Sequence, residues 1–295
     1  MAARAKLADM SQPVRPWNLP LQPPIEPMLA KLARKLPPGD HEWLFEPKWD
    51  GFRCIVFRDD DRIELYSRNR KPLGRYFPEL VAPLQQALPA RCIVDGEIVV
   101  PDRGDHGLDF DALLQRIHPA ESRINRLAAE TPAEFVAFDL LAVGDRELVD
   151  DPMLERRALL VDSIVQNERV RLTPASTDRT RAEEWFDAFE GAGLDGVIAK
   201  PVAGTYEPGK RALTKVKHVR TADCAVPGYR IHKDGNGVGS LLLGLYDADG
   251  EMRSVGVAVS FSVKRRAELL AELSPRAGED ALIDHPWVDW AKWQA

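Results

Sequence analysis

The sequence predicts an α+β fold with largely antiparallel sheets, arranged as two domains. Short apolar or alternating runs outnumber helical stretches. They lack the steady strand–helix–strand rhythm that builds parallel sheets. The chain has 295 residues, and single cores seldom grow past ~250–300.

The elements follow in order. Met1 to Gln22 is poor in apolar residues, carries Arg4, Lys6 and Arg15, and has no apolar run suited to a secretory signal. Pro13, Pro16, Pro20, Pro23, Pro24 and Pro27 predict an extended lead-in over 1–24 that packs along the surface. Trp43 to Phe57 reads as two strands flanking a turn, and Arg62 to Tyr66 alternates as a half-buried strand does. Pro78 to Leu88 suits a helix with Leu80, Leu84 and Leu88 on one face. Cys92-Ile93-Val94 and Ile98-Val99-Val100 read as two strands around an Asp95-Gly96-Glu97 turn. Helices are expected over Phe110 to Ile117, Pro152 to Ile164 and Arg181 to Gly191, the last with Trp185, Phe186 and Phe189 at helical spacing. Phe135 to Leu141 and Gly196 to Ala199 read as buried strands.

The pattern shifts near Thr221, which divides a domain over 25–220 from one over 221–295. Ala225 to Ile231, Ser240 to Tyr246 and Glu251 to Val259 alternate as strands, with Asp247 to Gly250 as a hairpin turn. A helix over Ser262 to Leu273 follows. Three strands and a helix form the front part of an oligonucleotide-binding (OB-fold) β-barrel. No strand is evident from Ser274 to Ala295, so this barrel is expected to be incomplete.

Composition narrows the classes. No apolar run approaches the ~20 residues that span a bilayer. Cys54, Cys92 and Cys224 are scattered, without Cys-x-x-Cys spacing, in apolar surroundings. They fit buried thiols in a reducing cytoplasm rather than a disulfide or zinc framework. The net charge of −6 permits a nucleic-acid partner only through a local basic cleft.

Several motifs carry chemistry. Lys48-Trp49-Asp50-Gly51-Phe52-Arg53 follows Glu46-Pro47 and matches the lysine–x–aspartate–glycine pattern of covalent nucleotidyltransferases. Phosphoryl transfer asks mainly for positioning and for positive charge around the transferring group. Lys48 would be the nucleophile, deprotonated with help from neighbouring cations and partial burial. Arg53, Arg68, Lys215 and Lys217 are the candidate cations, the last two on one face of a strand. Singly, each also reads as a solvated surface charge. Asp95-Gly96-Glu97 and Asp195-Gly196 read either as turn chemistry or as ligands for Mg²⁺ or a ribose hydroxyl. Phe138 reads either as core or as a stacking surface for a purine.

Taken together and in order, these motifs resemble those of the ATP-dependent DNA ligases, closest to the small bacterial repair-associated ligase C type. The resemblance runs from about Pro27 to His232. It includes Pro27-Met28-Leu29-Ala30, Glu46 to Arg53, Ser67-Arg68-Asn69 and Tyr76 to Leu80. Further along come Asp95-Gly96-Glu97, Phe110 with Leu114-Gln115-Arg116, and Phe138 to Leu141, then Asp195 to Lys200 and Lys215-Val216-Lys217. It implies a nucleotidyltransferase (adenylation) domain ahead of the OB-fold domain. It also implies that Lys48 takes adenylate from ATP, that Glu46 helps recognise the adenine and that Arg53 and Glu97 hold the ribose. Arg68 would contact phosphate and Phe138 would stack on the base. Glu97 and Asp195 would serve Mg²⁺, and Lys215 and Lys217 the α-phosphate, with Lys200 as a further candidate there. The AMP would then pass to the 5′-phosphate of a nick in double-stranded DNA, which the 3′-hydroxyl seals. A monomer that works with DNA-repair proteins in the cytoplasm, away from membranes, is implied.

The sequence departs from the family in three places. Asp195 stands where Glu is usual, and Leu213-Thr214 where an aromatic is common. After Leu273 only Arg276 and Lys292 stand where a basic motif VI would be. Loss of such a cationic group costs about 10²-fold in rate, so the resemblance implies a truncated C-terminal part and weak self-adenylation. A messenger-RNA capping guanylyltransferase, an RNA ligase and a non-catalytic nick- or nucleotide-binding protein remain as alternatives. Lys233, Arg265 and Arg266 are surface candidates for gripping DNA.

Overall fold

The computed structural model describes residues 16–39, 41–102, 104, 107–118, 120–188, 194–217 and 221–278. The expected elements over 1–15, past residue 278, and at Phe189 to Gly191 lie outside the described residues. The chain divides into two compact units, Met1–His218 and Val219–Ala295.

The first unit holds two sheets. One has four strands: β1 (Ala30–Ala33), β2 (Trp43–Pro47), β9 (Val197–Pro201) and β10 (Leu213–Val216), in the order β1-β10-β9-β2. The other runs β4 (Arg62–Ser67), β3 (Phe52–Asp59), β5 (Arg91–Val99), β6 (Glu134–Val143) and β7 (Arg146–Glu147), with β8 (Val170–Leu172) also paired to β6. Pairing is antiparallel except for β1 with β10 and β6 with β8. The mixed, sheet-rich fold is therefore the one expected. The strands β1, β7 and β8 are too short to show a period in sequence.

Alternation along β3 sets up two cores. Cys54 and Val56 face one, closed by α1 (Val81–Ala87) and α4 (Met153–Ser163) through Leu84 and Leu160. Ile55 and Phe57 face the other, where Leu19 of the lead-in, Met28 and Leu213 meet them. The sheet is thus buried on both faces. The described part of the lead-in packs on it: Trp17 lies 6.1 Å from Phe57 and under Arg62. A third cluster, Phe45, Val197 and Ala199, is covered by Ala182 and Trp185 of α5 (Arg179–Ala188). The remaining helices are α2 (Phe110–Gln115) and α3 (Glu121–Glu130). The sequence reading missed α3, whose helical face is short: only Ile124 and Leu127 are buried.

The Asp95-Gly96-Glu97 turn is corrected. These residues lie inside the continuous strand β5, buried on both sides by β3 and β6. Gly96 is there for room rather than bending: a Cβ would stand 2.3 Å from the Phe135 ring and 2.5 Å from the Val136 carbonyl. Cys54 and Cys92 are buried as expected, whereas Cys224 is only half-buried. The helix expected over Pro78 to Leu88 begins as a 3₁₀ turn at Pro78–Leu80 and becomes helical at Val81.

The second unit has a three-stranded antiparallel sheet, β11 (Ala225–Ile231), β12 (Val238–Tyr246) and β13 (Met252–Ala258), followed by α6 (Val263–Leu273). Its turn forms as read: Asp247 accepts from the backbone of Asp249 and Glu251, and Gly250 takes φ +81°. Ser262 caps α6 by accepting from the Arg265 backbone. No described helix is long and apolar enough to cross a membrane.

Candidate active site

A cavity of about 300 Å³ in the first unit is lined by residues of both sheets, within the range usual for small-ligand sites. Glu46, Lys48, Arg53, Arg68, Glu97, Phe138, Lys215 and Lys217 all line it. Asp195 joins through ion pairs with Lys48, at 2.8 Å, and with Lys217. These nine residues, read from the sequence, are therefore brought to one place, from positions as far apart as Glu46 and Lys217. The lining also includes Arg211, which the sequence reading missed because it belongs to no motif.

Backbone geometry fixes the lysine loop. The Lys48 N–H donates to the Gly196 carbonyl at 2.8 Å, and the Asp195 N–H to the Lys48 carbonyl at 3.2 Å. Gly196 permits this with φ +130°, where a Cβ would stand 2.0 Å from the Val216 carbonyl. The Trp49 indole anchors the loop's far side by donating to Thr173 Oγ1 at 2.9 Å.

The charges around Lys48 differ from expectation. Its closest charged partner is the Asp195 carboxylate, with Asp50 at 3.6 Å, rather than a cation. Crowding by cations acts instead on Lys215, whose pKa is lowered by burial and by Lys217, Lys48, Arg68 and Arg211. Asp195 is driven below its usual value by hydrogen bonds from Lys217 and Lys48, against a rise from burial.

Arg53 is held rather than free. Its Nε and Nη2 each donate at 2.6 Å to Asp95, whose Oδ2 also accepts from the Tyr206 hydroxyl at 2.6 Å. The guanidinium lies 4.4 Å from the Phe138 ring centroid. Burial of this cation is offset by Asp95, and the net effect raises its pKa. The positioning roles of Asp95 and Tyr206 escaped the sequence reading. Asp95 was read with its motif as turn chemistry or as a ligand for Mg²⁺ or ribose, not as the partner of Arg53, and Tyr206 gave no signal. Glu97, opposite Arg53 in the β3–β5 register, has its pKa pushed up to about 7 by burial, against the pull of Arg53 and Lys48.

Phe138 reaches the cavity through an irregularity. Asp95 pairs with Asp139 and Gly96 with Ala137, so Phe138 is the extra residue of a β-bulge. Lys200, expected near phosphate, is corrected: it is buried, paired to Glu46 at 2.8 Å, and bonded to the Phe138 carbonyl at 2.8 Å. Its ammonium is engaged by protein groups on both counts rather than left for phosphate. Arg265 and Arg266, in the second unit, are partly occupied by Glu268 and by the Phe261 carbonyl.

The sequence profile of the ATP dependent DNA ligase domain matches residues 27–217. The chain belongs to the ATP-dependent DNA ligase family. The ligase is 55% identical to DNA ligase C of Mycobacterium tuberculosis over 280 residues, 93% of this chain and 76% of that protein. It is 53% identical to DNA ligase C2 of Mycolicibacterium smegmatis, over 93% of this chain and 76% of the relative. Among solved structures, mycobacterial DNA ligase D complexed with ATP and MES aligns with TM-score 0.52 and 28% identity. That alignment covers 85% of this chain and 78% of the other. These matches identify an ATP-using DNA ligase and do not favour the capping, RNA-ligase or non-catalytic readings. The motif VI and self-adenylation expectations concern a tail that lies largely outside the described residues.

The donor set fits both ATP and Mg²⁺. Glu46, a residue of the cavity lining, is buried and keeps one carboxylate oxygen, Oε1, without a hydrogen-bond partner. Lysines and arginines line the same cavity. Among the described residues no group of three or more His, Cys, Asp or Glu could hold a metal alone. Glu97 and Asp195 suit an ion that shares its coordination with phosphate oxygens and water.

Proposed function

We propose that the ligase seals nicks in double-stranded DNA through a lysine–AMP adduct at Lys48. The observation that carries this reading is the placement of the Lys48 amine in the cavity with Lys215, Lys217 and the Asp195 carboxylate. The amine attacks the α-phosphorus of ATP, forming a nitrogen–phosphorus bond as the bond to pyrophosphate breaks. The nick's 5′-phosphate then takes the AMP, and the adjacent 3′-hydroxyl displaces it to form the phosphodiester. Each step exchanges one bond to phosphorus for another, so catalysis is chiefly positioning and charge stabilisation.

Residue roles follow from their surroundings. Phe138 offers a ring to the adenine and Glu46 Oε1 an acceptor for its amino group. Glu97, beside Arg53, holds the ribose, while Arg68, Lys215 and Lys217 receive phosphate oxygens. Glu97 and Asp195 would hold Mg²⁺, which would supply further positive charge to those oxygens when bound. Asp195 bridges Lys48 and Lys217 and so holds the amine beside the second lysine. We read residues 25–220 as the adenylation domain and 221–295 as part of an OB-fold domain, supported by the three antiparallel strands and following helix. DNA-repair proteins are the partners that such an enzyme would serve.

The test uses a nicked duplex with a labelled 5′-phosphate. With ATP and Mg²⁺ the wild-type chain is expected to yield sealed strand and Lys48→Ala none. Equal sealing by the variant would remove Lys48 from the chemistry.

A further inference from the structure

Behind Glu46 and Phe138, two residues of the cavity lining, lies a buried ammonium that the ligation chemistry leaves unused. Lys200 and Glu46 sit diagonally across the β2–β9 pair, whose register places Leu44 opposite Lys200 and Glu46 opposite Ile198. Both side chains are only 3% exposed. Lys200 Nζ donates to Glu46 Oε2 at 2.8 Å and to the Phe138 carbonyl at 2.8 Å, and lies 4.8 Å from the Phe138 ring centroid. One cation thus ties down the residue at the base's edge and the backbone of the residue at its face.

We propose that Lys200 is a positioning residue that sets the enzyme's choice of a 6-amino over a 6-oxo purine. This rests on the reading that Glu46 faces the base. With Oε2 engaged by Lys200, Oε1 is the one carboxylate oxygen left to meet the nucleotide, and it is an acceptor only. A 6-amino group donates to it. A 6-oxo group would set one acceptor against another in a buried place, which discriminates strongly because neither finds a partner. Burial raises the Glu46 pKa and Lys200 opposes that rise, so the lysine favours the ionised, acceptor-only carboxylate. Without Lys200, a protonated Glu46 could rotate and donate to a 6-oxo group.

The experiment measures lysine–nucleotide adduct formation by the full chain with ATP and with ITP, which carries a 6-oxo purine. Wild type is expected to favour ATP, and Lys200→Met to lower the ATP:ITP ratio of kcat/KM by about tenfold or more. That lost selectivity should partly return as pH is raised and Glu46 ionises. Lys200→Arg, which keeps the cation, should stay within about threefold of wild type. Should Lys200→Met not fold, Lys200→Gln carries the same test, because it can still donate to the Phe138 carbonyl. A folded Lys200→Met or Lys200→Gln enzyme that loses activity equally with both nucleotides overturns the proposal and leaves Lys200 a purely structural residue. Glu46→Gln separates the two readings, since its amide can serve either purine. If that variant keeps the wild-type ratio, Glu46 does not face the base and the underlying reading fails. If it abolishes selectivity while the neutral Lys200 variants do not, only the Lys200 proposal falls.

Discussion

At the scale of single residues, the site is a balance of buried charge. Asp95 neutralises Arg53 from a fully buried position, and removing one member of such a pair leaves the other uncompensated. Asp95→Asn keeps a partner for Tyr206 but strands the guanidinium, so a loss of about 3 kcal/mol is expected in chemical denaturation. A loss below about 1 kcal/mol would show that Arg53 finds water instead. Glu97 gives a pH signature. Its folded pKa of about 7 stands above the usual 4.5, so its contribution to stability is full below 4.5 and is lost as pH rises through 7. Glu97→Gln does not titrate and should gain on wild type between pH 4.5 and 7, by about 2 kcal/mol allowing for its partial exposure. Thermal melts across that range, without nucleotide or metal, would show parallel curves if Glu97 were ordinary. The candidate residues themselves were legible because lysine, arginine and carboxylate in that order already state a chemistry. Their supports were not: Asp95 and Tyr206 are 111 positions apart, and nothing local marks their bond.

At the scale of elements, strands and helices were read from period, and irregularities escaped. Ala225 to Ile231 was read from its alternation, because that signal is local. Asp95-Gly96-Glu97 has the composition of a turn, yet packing on both faces keeps it in a strand. The same stretch accompanies the bulge that presents Phe138, and bulges depend on the partner strand's register. Gly96→Ala is expected to press on the Phe135 ring and lower stability by about 1–3 kcal/mol or more. Nucleotide affinity should fall with it as the bulge shifts, read by nucleotide titration. A variant with unchanged melting temperature and affinity would mean that Phe135 yields freely and that Gly96 does not shape the site.

At the scale of the whole molecule, all three apolar clusters and every site residue belong to the first unit. A fragment spanning 1–218 is expected to unfold cooperatively and still bind ATP, because the described residues of all three clusters and of the cavity lie within it. Loss of cooperative unfolding in that fragment, followed by calorimetry, would contradict a self-sufficient core. The two-unit plan was visible in sequence because the alternating strands past Thr221 differ in pattern from what precedes them. The central claim concerns the intact chain and its amine at position 48. Its most direct test is peptide-mapped mass spectrometry after incubation with ATP and Mg²⁺. The account predicts one added adenylate, carried on Lys48 and absent from Lys48→Ala; an adduct elsewhere, or none while nicks are still sealed, would contradict it.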